Sequence, residues 1–133
     1  MDSVATTASR ADDLKRFFLF RGRATRTEWW LVHLAEMVAV MLLVWLCKIN
    51  LLVTPGNSAL LINAAFLGLL WVKLAVDVRR LHDMDRSGWW VALALILNGL
   101  GQLAAIVWLG FFNGTPGENR FGPNPRGMQA VMP

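Results

Sequence analysis

Side chains able to do chemistry gather in Asp77-Val78-Arg79-Arg80-Leu81-His82-Asp83-Met84-Asp85-Arg86-Ser87-Gly88-Trp89-Trp90, a charged stretch between two long apolar runs. A histidine beside aspartates is the pairing of a general base, with Asp83 or Asp85 orienting the His82 ring. Arg79, Arg80 and Arg86 add planar, forked donors of the kind that hold a phosphate. Together they would suit an enzyme acting on lipid headgroups. No nucleophile motif and no phosphate-cradling glycine loop accompanies them, so no residue is assigned as catalytic. The structural alternative is a solvated turn at a membrane surface whose charges pair locally. Two histidines and the lone Cys47 exclude a multi-histidine metal site, a cysteine zinc site and a CxxC redox motif, and no metal or cofactor is expected.

A second polar set lies inside the apolar runs: His33, Glu36, Lys73 and Asn98. Counted from Trp29, Arg79 and Trp89 as interface marks, Glu36 lies about 10 Å deep, Lys73 about 9 Å and Asn98 about 13 Å. Three segments thus place polar groups at one level, where an unpaired charge costs several kcal/mol. A Glu36 to Lys73 ion pair joined by His33 and Asn98 is the expectation, serving as a lock for a small bundle or as part of a transport path. Snorkelling of Lys73 to the interface is the other outcome.

The elements that must position these groups follow from composition. In 133 residues, 56% hydrophobic with mean hydropathy +0.45, there is room for one domain, and the apolar share exceeds that of ordinary soluble proteins. Seven Trp against no Tyr, mostly near the ends of apolar runs, fits the aromatic belt of a membrane protein. The net charge of +4 could suggest nucleic acid, but the bases sit beside apolar runs and form no separate basic face. Anionic lipid headgroups are the expected counter-charge, with no nucleic-acid partner.

The predicted fold is an all-α membrane protein with three hydrophobic transmembrane segments, at about 29–46, 59–76 and 89–112, each near the ~20 residues a bilayer core needs. Residues 1–10 are small and polar and expected to be flexible, and 11–125 form the domain, with 126–133 as a tail. From Ala11 to Phe20, Leu14, Phe17 and Phe18 share one helical face, which predicts a short amphipathic helix lying in the interface. Arg21, Arg23 and Arg26 then form a juxtamembrane cluster before Trp29-Trp30, where Thr25 or Thr27 can cap the first span with Glu28 in its first turn. Pro55-Gly56-Asn57-Ser58 reads as a turn. Asn98-Gly99-Leu100-Gly101-Gln102 weakens the middle of the third segment, which is therefore either a kinked span or a re-entrant pair of short arms.

With three spans, nine Lys or Arg fall on the side of the N-terminus and its matching loop, against three on the other, which favours a cytoplasmic N-terminus. A re-entrant third segment would bring the tail to that side too. Arg26-Thr27-Glu28-Trp29-Trp30 and Arg86-Ser87-Gly88-Trp89-Trp90 begin the first and third segments alike.

Three stretches carry a resemblance to a known family: Phe20-Arg21-Gly22-Arg23-Ala24-Thr25-Arg26-Thr27-Glu28-Trp29-Trp30, then Arg79 through Trp90, then Gly114-Thr115-Pro116-Gly117-Glu118-Asn119-Arg120-Phe121-Gly122-Pro123-Asn124-Pro125. In this order they resemble the DUF805 family of small bacterial inner-membrane proteins. The resemblance implies a multi-pass inner-membrane protein and brings no catalytic or binding residues with it. Where that family often has proline three residues before the mid-span glycine, this chain has Asn98 before Gly101. The leading expectation is a non-enzymatic scaffold or interaction protein. Its basic face, with Arg21, Arg23, Arg26, Arg79, Arg80, His82, Asp83 and Arg86, would meet anionic lipid, a membrane-protein partner or a second copy of the chain. A small transporter or accessory using Glu36 and Lys73, and a headgroup enzyme using His82, are the competing classes.

Overall fold

The structure, a computed structural model, describes residues 18–53 and 58–127. Four helices make up this region: α1 (Arg26–Val53), α2 (Ser58–Asp83), α3 (Trp89–Ile96) and α4 (Asn98–Phe111). Among the described residues the β pairing is limited to an isolated antiparallel bridge between Asn119 and Gly122. The predicted flexible segment 1–10, most of the amphipathic helix at 11–20, the turn at 54–57 and the end of the tail lie outside the described residues.

Capping fixes the start of α1: the Thr25 hydroxyl accepts the Glu28 backbone N–H at 3.1 Å, and Glu28 places its charge in the first turn. α1 and α2 each contain an apolar stretch long enough to cross a membrane. They run in opposite directions, so Trp29 at the start of α1 meets Asp77 near the end of α2. Phe18 and Phe20 lie along α2, where the Trp71 indole donates to the Phe18 carbonyl at 3.1 Å and the Phe20 ring meets Trp71 edge-on at 5.0 Å.

The third apolar segment is not one helix. It breaks after α3 at Leu97, and Asn98 takes a φ of 52°, a left-handed conformation that asparagine tolerates better than most residues. The arms then fold back on each other. A Cβ on Gly101 would lie 2.2 Å from the Ala94 carbonyl oxygen, and the Trp90 and Trp108 rings meet edge-on at 5.6 Å. On a straight helix those two tryptophans would be about 27 Å apart. Of the two forms left open by the sequence, the hairpin is the one formed. No proline is needed to make it, because Asn98 supplies the turn and Gly101 the close approach. With 8 residues, α3 advances only about 12 Å, less than half of a ~30 Å hydrocarbon core.

The end of α4 therefore returns to the start of α1. The Trp30 indole donates to the Gly110 carbonyl at 3.1 Å, and Arg26 donates to the Phe111 carbonyl at 3.2 Å. A Cβ on Gly110 would fall 2.7 Å from the Trp30 ring, so this crossing requires glycine. The buried apolar core, built from Ala24, Trp29, Val76, Leu81, Val91 and Leu109, lies around this one end of the bundle.

Candidate functional site

The polar end of the bundle is built around Asp83, the last residue of α2. Arg23 donates through Nε and Nη2 to its Oδ1 at 3.0 and 2.9 Å, and Arg80 donates to its Oδ2. Side chains of all three are nearly sealed from solvent, at 1%, 0% and 3% exposure. Two cations on one carboxylate in such a place require further acceptors, and the backbone supplies them. Arg80 donates to the carbonyls of Leu109 at 2.9 Å and Phe112 at 2.5 Å, closing the C-terminal end of α4, which has no basic residue in its own last turn. Arg23 donates to Thr115 and Gly117 carbonyls at 2.7 and 2.6 Å.

These bonds dock the loop after α4 onto the bundle. The Thr115 N–H and hydroxyl both donate to the Asp83 carbonyl, at 2.8 and 3.0 Å, and Asn119 donates to the His82 carbonyl at 2.9 Å. A Cβ on Gly114 would lie 1.8 Å from Asp83 Oδ2, which leaves glycine as the residue that fits. Arg79 pairs with Glu28 at 2.9 Å, and its carbonyl accepts the Ala24 N–H at 3.0 Å, tying the segment before α1 to α2.

His82 is held by an aromatic face and a backbone carbonyl. Its ring lies flat on Phe121, with centroids 3.8 Å apart and planes 6° from parallel, and its Nδ1 faces the Gly22 carbonyl at 3.2 Å. A carbonyl partner places the ring proton on Nδ1. Neither candidate carboxylate orients the ring: Asp83 is taken by Arg23 and Arg80, and Asp85 pairs with Arg120 at 3.1 Å.

Nearly two turns deeper along α2 lies a second polar group centred on Asp77, 3% exposed. Its Oδ2 accepts from Lys73 at 2.6 Å and its Oδ1 accepts from the Trp29 indole at 2.8 Å, with His33 Nε2 at 3.4 Å. The His33 ring stacks on Trp29 at 4.0 Å, and its Nδ1 meets the Trp29 carbonyl at 3.0 Å. The expected Glu36 to Lys73 pair is replaced by Lys73 to Asp77, because residues four apart on one helix are neighbours without any help from a second helix. His33 does join Lys73, through Asp77. Glu36 instead lines an open groove with Val40, Asn63, Phe66 and Leu70. Asn98 stands exposed at the hairpin tip, outside the cluster, because the third segment turns there.

The predicted basic face divides accordingly. Arg23, Arg79, Arg80 and Asp83 are buried internal partners, while Arg21, Arg26 and Arg86 are exposed and His82 is half-buried. The sequence reading overlooked the docking role of Gly114, Thr115 and Asn119. A signal existed: the tail carries one of three recognisable stretches, and all three meet in this cap.

Two bilayer-length helices, a helical hairpin and a cap of buried arginines on one aspartate define a small α-helical protein of membrane type. Residues 17–123 match the family described as Protein of unknown function (DUF805), and the chain belongs to that family. It is 42% identical over 116 residues to Inner membrane protein YhaH of Escherichia coli K12, covering 85% of this chain and 92% of that protein. Inner membrane protein YhaI of the same strain is 38% identical over 115 residues, covering 85% and 91%. Uncharacterized protein YiiR is 30% identical over 135 residues, covering 84% and 89%. No solved structure matches the chain.

Proposed function

We propose that this protein crosses the bacterial inner membrane with α1 and α2, dips α3 and α4 into the cytoplasmic leaflet as a re-entrant hairpin, and keeps both chain ends in the cytoplasm. The polar end then serves as a non-enzymatic scaffold that meets anionic lipid. The names of the relatives support the membrane. The return of α4 to the start of α1 supports the hairpin, and it puts Arg120 and Arg126 on the same side as Arg21, Arg23 and Arg26. Outside the long apolar stretches, this topology leaves Lys48 as the base on the opposite side, a strong positive-inside asymmetry.

The observation that carries the scaffold reading is the division of the arginines. The buried ones are committed to Asp83, Glu28 and backbone carbonyls, and Arg21, Arg26 and Arg86 remain exposed around a rigid cap. Near an anionic leaflet each exposed base contributes about 1 kcal/mol of attraction. The test is the ratio of anionic to zwitterionic lipid around the purified full chain in mixed nanodiscs. Replacing Arg21, Arg26 and Arg86 with Gln should remove the anionic enrichment while the chain keeps a cooperative melting transition; unchanged enrichment refutes the reading.

The Lys73, Asp77 and His33 cluster favours a second reading, a small transporter or transporter accessory, since ionisable groups within a membrane helix often line a path. Proteoliposomes under a proton gradient test it. Flux abolished by Asp77→Asn supports transport, and absence of flux removes it.

A further inference from the structure

Beside the cap, α2 and α3 diverge into an open groove of about 560 Å³. Its volume lies within the range of small-molecule sites. Leu74 and Val78 of α2 face Val91, Ala92 and Leu95 of α3 along its apolar length. Its other end is polar, with His82 and Ser87 at the mouth and Phe20 alongside. The groove therefore changes character over its length as a phospholipid does.

Charge at the mouth has the matching sign. Gly22 lies against the His82 ring through its carbonyl at 3.2 Å, which brings Arg21 to this end, and the Arg86 N–H bonds to the Leu81 carbonyl at 2.9 Å, which brings Arg86. Both arginines are exposed. His82 Nδ1 is committed to Gly22, and its Nε2 has no hydrogen-bond partner among the described residues. Trp89, 83% exposed on the rim, is the residue type that marks headgroup level in a bilayer. The floor is set by Gly88: a Cβ there would fall 2.7 Å from Val78 Cγ1, so α3 leaves the turn pressed against α2 and diverges only beyond it.

We propose that this groove is a binding site for one anionic phospholipid. One acyl chain lies along Leu74, Val78, Val91, Ala92 and Leu95, and the phosphate is held by Arg21 and Arg86 beside His82 and Ser87. The site rests on the basic-face reading above and deepens it, from a general preference for an anionic leaflet to a single retained molecule. It distinguishes Arg21 and Arg86, which hold that lipid, from Arg26, which acts only on the surrounding leaflet.

The test is native mass spectrometry of the full chain released from detergent, after equilibration with phosphatidylglycerol and phosphatidylcholine of identical chains. The wild type should retain one phosphatidylglycerol, favoured about tenfold over phosphatidylcholine. Ala92→Trp fills the apolar length without changing charge; it should abolish retention while leaving anionic enrichment in nanodiscs intact. Should that variant fail to fold, Leu95→Gln puts a polar group on the same wall, at a side chain already 46% exposed, and should weaken retention by about tenfold. Arg21→Gln with Arg86→Gln should equalise the two lipids. Equal retention of both lipids by the wild type, or unaltered retention in a folded groove variant, overturns the site. If retention fails while nanodisc enrichment persists, the groove is wrong and the basic face stands. If the triple arginine variant keeps its enrichment, the basic-face reading itself fails.

Discussion

The two ends of the bundle follow opposite rules. At the cap, Arg23, Asp77, Arg79, Arg80 and Asp83 are all at most 4% exposed, and each has partners from more than one part of the chain or from its own helix. Toward the other end, Leu60, Leu61 and Leu67 of α2 are 78%, 72% and 67% exposed. In water this would be an inverted protein. In a bilayer it is ordinary, because an apolar side chain gains nothing by leaving lipid for protein, whereas a charge near the membrane must find a partner or remain costly. The charged residues therefore organise the tertiary structure, and the apolar ones choose the medium.

This contrast predicts a steep gradient of mutational effect. The largest belongs to Asp83→Ala, which strands two buried arginines and should cost about 3–5 kcal/mol, read as loss of the cooperative thermal transition in detergent. Next comes Gly114→Ala, whose Cβ collides with Asp83; displacement of the docked loop should cost about 1–3 kcal/mol and expose residues 113–122 to protease. Asp77→Asn removes the charge facing Lys73, and because that lysine is 23% exposed the loss should be about 1 kcal/mol, seen as a lower melting temperature. Exchanging Glu36 and Lys73 should then give no rescue, since Asp77 and not Glu36 is the partner. At the far end Leu60→Ala should stay within about 0.5 kcal/mol of wild type in the same melt. A large effect there, or a negligible one at Asp83, would break the comparison.

Much of this was legible in the residues. The two long apolar runs marked α1 and α2, Thr25 or Thr27 was expected to cap α1 and Thr25 does so, and Asn98 with Gly101 flagged the weak point of the third segment. The choice between kink and hairpin was not legible, because it depends on the Gly101 backbone packing against the Ala94 carbonyl, two positions that lie about two turns apart on a straight helix. Similarly, Arg23 and Arg80 look like surface bases by sequence, since nothing local reveals that the carbonyls of Leu109, Phe112, Thr115 and Gly117 will arrive to accept from them; Arg79 looks the same until Glu28 at the start of α1 meets it. Buried ion pairs are recorded in tertiary geometry, and charge counting alone misplaces them. Lys73 misled for the opposite reason: its partner was one turn away on the same helix, while the expectation looked across the bundle.

If the hairpin returns the chain to the cap, the tail and the loop between α2 and α3 lie on one side of the membrane. Side-specific thiol labelling tests it most directly. With Cys47→Ser as background, single cysteines introduced by Arg86→Cys and Glu118→Cys, both at exposed positions, are probed with an impermeant maleimide in inverted and right-side-out vesicles. Both should label in inverted vesicles, and neither should label in right-side-out ones. Labelling of the two positions from opposite sides would contradict it.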